Sequence, residues 1–321
     1  MAHSQRFLRA RLGRGCVFAG CGLLLLLSAA GCGEEPSGLR FELLERMAFL
    51  PAGSCVLFAG SHAPVDCSGA EPLLVDRFET TQADWSRWSL ASAGGQAGLA
   101  AQGFWNDLAP HHPATGMTQA EAQAFAAHLG MRLPTAREWI RIAAGSRAQV
   151  WPWGPFPARS AANTLDLGLE RLAPVGSFES GSTALGVHDL LGNAAEWASD
   201  LLTDPAAAEG PEDGRVWAMG GSFRRFKRET YSPGDDQRAR YNAELLDPSH
   251  RSHDLGLRLV AGAEAWLRRE SEDWPDSPEA HARLRAVGAA WGRAAVPLLR
   301  RLSRAEGARP GFKALLFGAS Q

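Results

Sequence analysis

The sequence predicts an α+β fold, loop-rich, with short strands and two or three helices, continued by a C-terminal helical extension. Three observations carry this expectation. Short β-like runs broken by Pro and Gly begin at Met47 and return between Val216 and Val260. Two helix-start signatures lie between them, Thr118 with Glu121 and Thr135 with Glu138. Past Gly262, the apolar residues Leu284, Val287, Trp291, Ala295, Leu298 and Leu302 recur at three- and four-residue spacing, the period of a helix face.

Residues 1–32 read as an address. Arg6, Arg9, Arg11 and Arg14 precede an apolar run ending at Leu27, then Ser28-Ala29-Ala30-Gly31-Cys32. A basic start, an apolar stretch too short to favour a spanning helix and a small-residue cleavage site make a secretory leader. Ala29-Ala30-Gly31-Cys32 resembles a bacterial lipobox, which places lipid on Cys32 and the chain in the cell envelope, on the outer face of the inner membrane or on the outer membrane. Ordinary secretion is the alternative. Residues 33–46 then form a tether.

The 321 residues carry 33 basic and 35 acidic side chains, a net charge of −2, and removing 1–32 leaves 29 basic against 35 acidic. That balance excludes nucleic acid as the main partner. Of five cysteines, only Cys55 and Cys67 remain after Cys32 is set aside with the two in the leader. In an oxidising compartment they form a plausible disulfide worth roughly 2–3 kcal/mol, the alternative being two free thiols.

Met47 to Phe58 reads as a strand, a Pro/Gly break and a second strand, and Leu73–Phe78 as another. Thr81 to Asp84 caps a short helix bearing Trp85 and Trp88. The helix after Thr118 turns Ala122, Phe125, Ala126 and Leu129 inward and stops at Gly130, and the helix after Thr135 bears Trp139, Ile142 and Ala143 and stops at Gly145. From Val150 to Gly221 the chain is mostly loop, which eleven tryptophans and bound ions could pin. Val216–Phe223 and Leu255–Val260 close the domain of residues 47–262. In the extension, 263–321, Pro297 should kink or split the long helix that starts at Ser277. The extension is a helical appendage packed on the domain, or a surface for a membrane or a partner helix.

The stretch Gly186 to Asp200 is the centre of the domain. Asn193 and Glu196 could offer oxygens to a hard cation such as calcium, or bond the loop's own backbone. His250-Arg251-Ser252-His253-Asp254 could offer two imidazoles and a carboxylate to a metal. In His111-His112 adjacent side chains diverge.

Taken together, Leu50 to Ser54, Val75 to Thr81, His112-Pro113, Arg132 to Trp139, Trp153-Gly154, Ala162-Asn163, Pro174 to Ser177, Gly186 to Trp197, Gly220 to Phe223 and Gly256 to Arg258 resemble the formylglycine-generating enzyme (sulfatase-modifying factor) family, a variant of the C-type-lectin fold. The resemblance implies structural calcium on Asn193 and Glu196 with carbonyls of Leu191 or Ala194. It also implies a second site at Asn163, with Asp166 the nearest aspartate. The family oxidase binds copper through two cysteines after the Gly-Gly-Ser-aromatic motif, and here Arg225 and Thr230 fall at those positions, so no copper is expected.

Iron-dependent sulfoxide synthases with this domain carry a His-rich helical bundle in front, for which 33–46 has no room. Other family members, of siderophore maturation, manage without the thiols, so chemistry could fall to Glu229, Tyr231, Asp235, Asp236, Arg240, His250 or His253. The leading expectation is a pseudoenzyme, a calcium-stabilised binding or scaffold module whose run Arg224, Arg225, Lys227 and Arg228 suits an anionic ligand or an acidic protein face. The rival is a cysteine-independent oxidoreductase or maturation enzyme acting on a periplasmic peptide or small molecule. A third reading makes the C-terminal helices the working part, presented by a domain that folds without them.

Overall fold

The structure, a computed structural model, describes residues 42–53, 56–58, 64–66, 69–91, 109–145, 149–199, 214–225 and 241–321. Cys32, Cys55, Cys67, Lys227, Arg228, Glu229, Thr230, Tyr231, Asp235, Asp236 and Arg240 lie outside the described residues. After a helical turn at 42–45 come β1 (Met47–Leu50), β2 (Val56–Phe58), β3 (Pro64–Asp66) and β4 (Leu73–Asp76). Helices α1 (Gln82–Ala91), α2 (Gln119–His128) and α3 (Ala136–Ala144) follow. Beyond the loop region lie β5 (Ala195–Trp197), β6 (Val216–Met219), β7 (Glu244–Leu246), β8 (Leu255–Gly256) and β9 (Val260–Gly262). The chain ends in α4 (Ala263–Glu270), α5 (Pro278–Trp291), α6 (Val296–Arg304) and α7 (Pro310–Ala319).

The strands form three small sheets, ordered β1-β4-β9, β2-β3 and β7-β6-β5-β8. All pairings are antiparallel except β5 with β8, where Ala195 faces Leu255 and Glu196 faces Gly256. The long reading of Val216–Phe223 stops at Met219, because Gly220 and Gly221 turn to φ 85° and 63° and leave the strand region. Between 150 and 194 only three short 3₁₀ turns interrupt the loops.

Both capping boxes form. Thr118 N–H donates to Glu121 at 2.8 Å and Thr135 N–H to Glu138 at 2.9 Å, with each threonine hydroxyl accepting in return. Helix α2 buries Ala122, Phe125 and Ala126, and α3 buries Trp139, Ile142 and Ala143. Asp84 caps with Thr81 at the start of α1, and Trp85 and Trp88 lie buried against Phe125.

The long helix of the extension is split rather than kinked, and earlier than Pro297. Gly292, at φ 64°, ends α5, and a 3₁₀ turn at Arg293–Ala295 leads into α6. Pro297 sits in the first turn of α6, where its missing N–H costs nothing. Helices α4 and α7 went unread in the sequence. Glycines let α5 and α7 cross backbone to backbone: a β-carbon on Gly288 would overlap the Leu315 carbonyl, and one on Gly318 the Arg285 carbonyl.

The core does not stop at Gly262. Leu284, Trp291, Leu298, Leu302, Phe312 and Leu315 are buried in one cluster with Met47, Phe49, Leu74, Phe125 and Trp197. Trp291 stacks on Phe49 with centroids 5.7 Å apart, and its Nε1 donates to the Met47 carbonyl at 2.9 Å. The domain and its helices therefore share one interior. Among the described residues no helix is long and apolar enough to cross a membrane.

Candidate functional site

The Gly192-Asn193 turn is held by two distant segments. Gly192 has φ 79°, and a β-carbon there would overlap the Asn163 carbonyl, so the two loops meet only because residue 192 is glycine. Asn193 is left-handed at φ 56°, a conformation asparagine tolerates, and its N–H donates to the Asn163 carbonyl at 2.8 Å. Its Oδ1 accepts from Asn163 Nδ2 at 3.0 Å and from Ala173 N–H at 2.9 Å. Its Nδ2 donates to Glu79 at 2.7 Å, and the other Glu79 oxygen accepts from Ala194 N–H at 2.9 Å. A single amide thus joins the loops at 79, 163, 173 and 193, all four with buried side chains.

Three residues on, Glu196 meets a different set. Arg258 Nη2 donates to its Oε1 at 2.7 Å, Arg258 Nε lies 3.0 and 3.2 Å from its two oxygens, and Trp139 Nε1 donates to Oε2 at 2.7 Å. Arg258 also reaches the carbonyls of Asp76 at 3.0 Å and His188 at 2.7 Å. The guanidinium, 0% exposed, thereby uses four of its five N–H groups and ties β5 to β4 and to the loop between them.

The surrounding charge is lopsided. Burial, then the charges of Asp189 and Glu196, push the Glu79 carboxyl well above its ordinary range. Burial likewise lifts Asp189 to about 6 against the pull of a hydrogen bond from Gly176 N–H. His188, stacked on Phe78 at 5.0 Å, is held low by burial and by Arg258 and Arg77.

These contacts test the expected calcium set. Both oxygens of Glu196 are taken by a guanidinium and an indole N–H, and Asn193 Oδ1 already accepts two hydrogen bonds, so a cation at this pair would face Arg258. In this arrangement the side-chain oxygens of Asn193 and Glu196 are engaged within the fold itself. Asn163 differs: its Oδ1 is buried and without a hydrogen-bond partner. Asp166 lies nearby in sequence, accepting from Thr164 Oγ1 at 3.1 Å. Among the described residues no three His, Cys, Asp or Glu side chains group as a metal site, His250, His253 and Asp254 included.

Above this frame opens a cleft of about 790 Å³, lined by His112, Leu165, residues 169–174, Phe223, Arg224 and His253. Leu165 N–H donates to the Arg225 carbonyl at 2.9 Å and Val175 N–H to the His111 carbonyl at 2.9 Å, so the 165–175 loop is fastened at both ends. Phe223 meets His253 edge-on at 5.8 Å. Arg224 also lines a second cleft of about 360 Å³, with Ser222, Arg225, Asn242, Glu244, His250 and Asp254 among its walls. There Ser222 Oγ donates to Asp254 at 2.6 Å and Ser252 Oγ to its other oxygen. Burial would raise Asp254, but these bonds, with His253 and Arg224, hold it below its usual value.

Of the residues singled out in the sequence, Arg224 and His253 share the large cleft, and Arg224, Arg225 and His250 the small one. Arg225 is turned to Glu244 in an ion pair. Glu79, His112, Glu170 and Arg171 were not recognised as site residues. Only Glu79 and His112 had a signal, since each lies in a stretch carrying the family resemblance.

The sulfatase-modifying factor enzyme 1-like domain family matches residues 36–263, more than half of the chain. The chain belongs to this family. Within it, the hercynine oxygenase of Mycolicibacterium thermoresistibile is 36% identical over 123 residues, 33% of this chain and 28% of that protein. The inactive C-alpha-formylglycine-generating enzyme 2 of Bos taurus is 30% identical over 166 residues, 47% of this chain and 50% of that protein. The chain thus spans half or less of the length of these curated relatives. Treponema denticola variable protein 1 superposes with a TM-score of 0.51 at 19% identity, covering 67% of this chain and 94% of that one, a likeness of fold alone. The sulfatase-modifying factor domain here keeps the fold and carries Arg225 where the resemblance places a copper-binding cysteine.

Proposed function

We propose that this chain is a lipid-anchored binding module of the cell envelope that takes an anionic group of a protein or small molecule in the large cleft. The observation that carries the reading is Arg224, an exposed guanidinium shared by both clefts, with Arg171, also exposed, among the residues that line the large one. A guanidinium fork suits carboxylate, sulfate or phosphate oxygens, and a second arginine on the same cleft adds to its pull on an anion. Arg225 cannot replace a thiolate for Cu(I), so thiol-dependent oxidation is not its work. That a named relative is an inactive member of the family agrees with this reading.

Calcium, which the family likeness implies, falls in this chain to Asn163 Oδ1 and neighbouring oxygens rather than to Glu196. The open Asn163 oxygen supports this. Lipid on Cys32 rests on the sequence 29–32.

The test titrates sulfate, phosphate and citrate into the protein while following its unfolding temperature. The expected result is a concentration-dependent rise that R224A and R171A each reduce. An identical rise in wild type and both variants would overturn the reading. Elemental analysis of the same preparation separates the alternatives. Calcium lost to EGTA with a lower unfolding temperature supports the cation, and stoichiometric iron or copper would favour the rival enzyme. The rival has its own observation, two imidazoles, His112 and His253, on the same cleft as Arg224.

A further inference from the structure

The charge of this chain is divided along its length. Residues 33–279 carry 21 basic and 34 acidic side chains, a net −13, while residues 280–321 carry eight basic side chains and a single acid, Glu306. Those last 42 residues are α5, α6 and α7 with their connections. Two of the eight cations are engaged elsewhere in the fold, Arg283 with Glu45 at 2.8 Å and Arg301 with Glu264. The other six, Arg285, Arg293, Arg300, Arg304, Arg309 and Lys313, are exposed. Cations at this density on a packed layer, not on a loose tail, repel one another and call for an anionic counter-surface.

Two further features say what that surface is. Phe317, one of two large apolar side chains left exposed among the described residues, at 59%, lies one helical turn after Lys313 on α7. An exposed aromatic beside lysine and arginine is the arrangement by which interfacial helices enter a lipid headgroup layer. The chain also enters the fold at this layer: the helical turn at 42–45 is bonded to α5 through Glu45 and Arg283. Cys32 lies ten residues before Glu42, a span of about 35 Å when extended. An acyl group there would leave the membrane within reach of α5–α7.

We infer that the α5–α7 layer is a docking face for anionic phospholipid, with Arg300, Arg304 and Lys313 meeting headgroup phosphates and Phe317 inserting between them. The placement beside the tether rests on the lipid-anchor reading above, but the affinity of the face does not. The rest of the chain, at net −13, is repelled by the same membrane, which leaves the α5–α7 layer as the face that approaches it.

The test uses residues 33–321, which lack both Cys32 and the basic, apolar leader before it, so that neither contributes, in flotation with vesicles of phosphatidylcholine alone or mixed with phosphatidylglycerol. Partition into the mixed vesicles should exceed that into phosphatidylcholine by roughly tenfold or more and should collapse as salt is raised. The R300E/R304E/K313E variant should lose that preference, F317S should weaken it severalfold, and the control R87E, on α1, should keep it, all with unchanged circular dichroism. Equal partition into both vesicles, or an undiminished preference in the triple variant, would overturn the inference. So would binding to polyglutamate without binding to the mixed vesicles, which would assign the face to an acidic protein. Mass spectrometry of the wild-type chain decides lipidation separately, and an unmodified Cys32 would remove the anchor while leaving the vesicle result standing.

Discussion

Arg258 is the side chain on which the buried frame depends, because it is the one guanidinium bonded to Glu196, which lies in the field of Glu79 and Asp189. Arg258→Met should cost about 3–5 kcal/mol in urea unfolding by leaving Glu196 buried and unpaired, and adding Glu196→Gln should recover part of it. An additive double mutant would disprove the pairing argument. Asp189 makes a prediction of opposite sense. Burial raises its carboxyl from 3.8 to about 6, so the folded chain holds this proton more tightly than the unfolded one. The stability it contributes is full below about pH 4 and is lost as pH rises through 6. Asp189→Asn keeps an acceptor for Gly176 N–H and suits the φ of 56°. It should raise stability by about 1–3 kcal/mol at pH 8 and change nothing near pH 4. A uniform shift across that range in thermal melts would refute the assignment.

The elements divide by how local their causes are. Helices α2 and α3 were legible to within a residue or two because each begins with a reciprocal Thr/Glu box and has a glycine at or just past its C-cap, interactions within a few positions of one another. Thr118→Ala and Thr135→Ala should each cost about 1 kcal/mol, measured by chemical denaturation. The break at Gly292 was misplaced because proline is the louder signal, although it suits a first helical turn. Helix α7 was missed because Gly311 and Gly318 weaken its local preference, and its place depends on crossing α5 at Gly288. Gly288→Val should therefore destabilise the fold by about 1–3 kcal/mol or more, since the Leu315 carbonyl cannot move aside without breaking its helix. A neutral result in thermal melts would mean that the two helices do not cross so closely.

At the scale of the molecule, the extension belongs to the interior it was expected to decorate. Trp291 bonds to β1 and packs on Phe49, and the shared cluster would lose Leu284, Leu298, Leu302, Phe312 and Leu315 on truncation. A chain ending at Gly262 should consequently show no cooperative unfolding transition, as followed by circular dichroism in urea. A sharp transition in that fragment would restore the picture of a self-sufficient domain.

The sequence by itself determined the family, the capped helices, the loop-rich centre around Asn193 and the absence of any cysteine after Cys67. Each of these is written in residues close together or in a fixed order. Only the tertiary structure decided what Asn193 and Glu196 hold. Glu79 lies 114 residues before Asn193, and Arg258 lies 62 residues after Glu196. Both Asn193 and Glu196 carry oxygen that a cation could use, and spacing cannot tell a metal ligand from the partner of a distant guanidinium. That choice is made by which charge the fold carries into the same low-dielectric space, and here it carries Arg258.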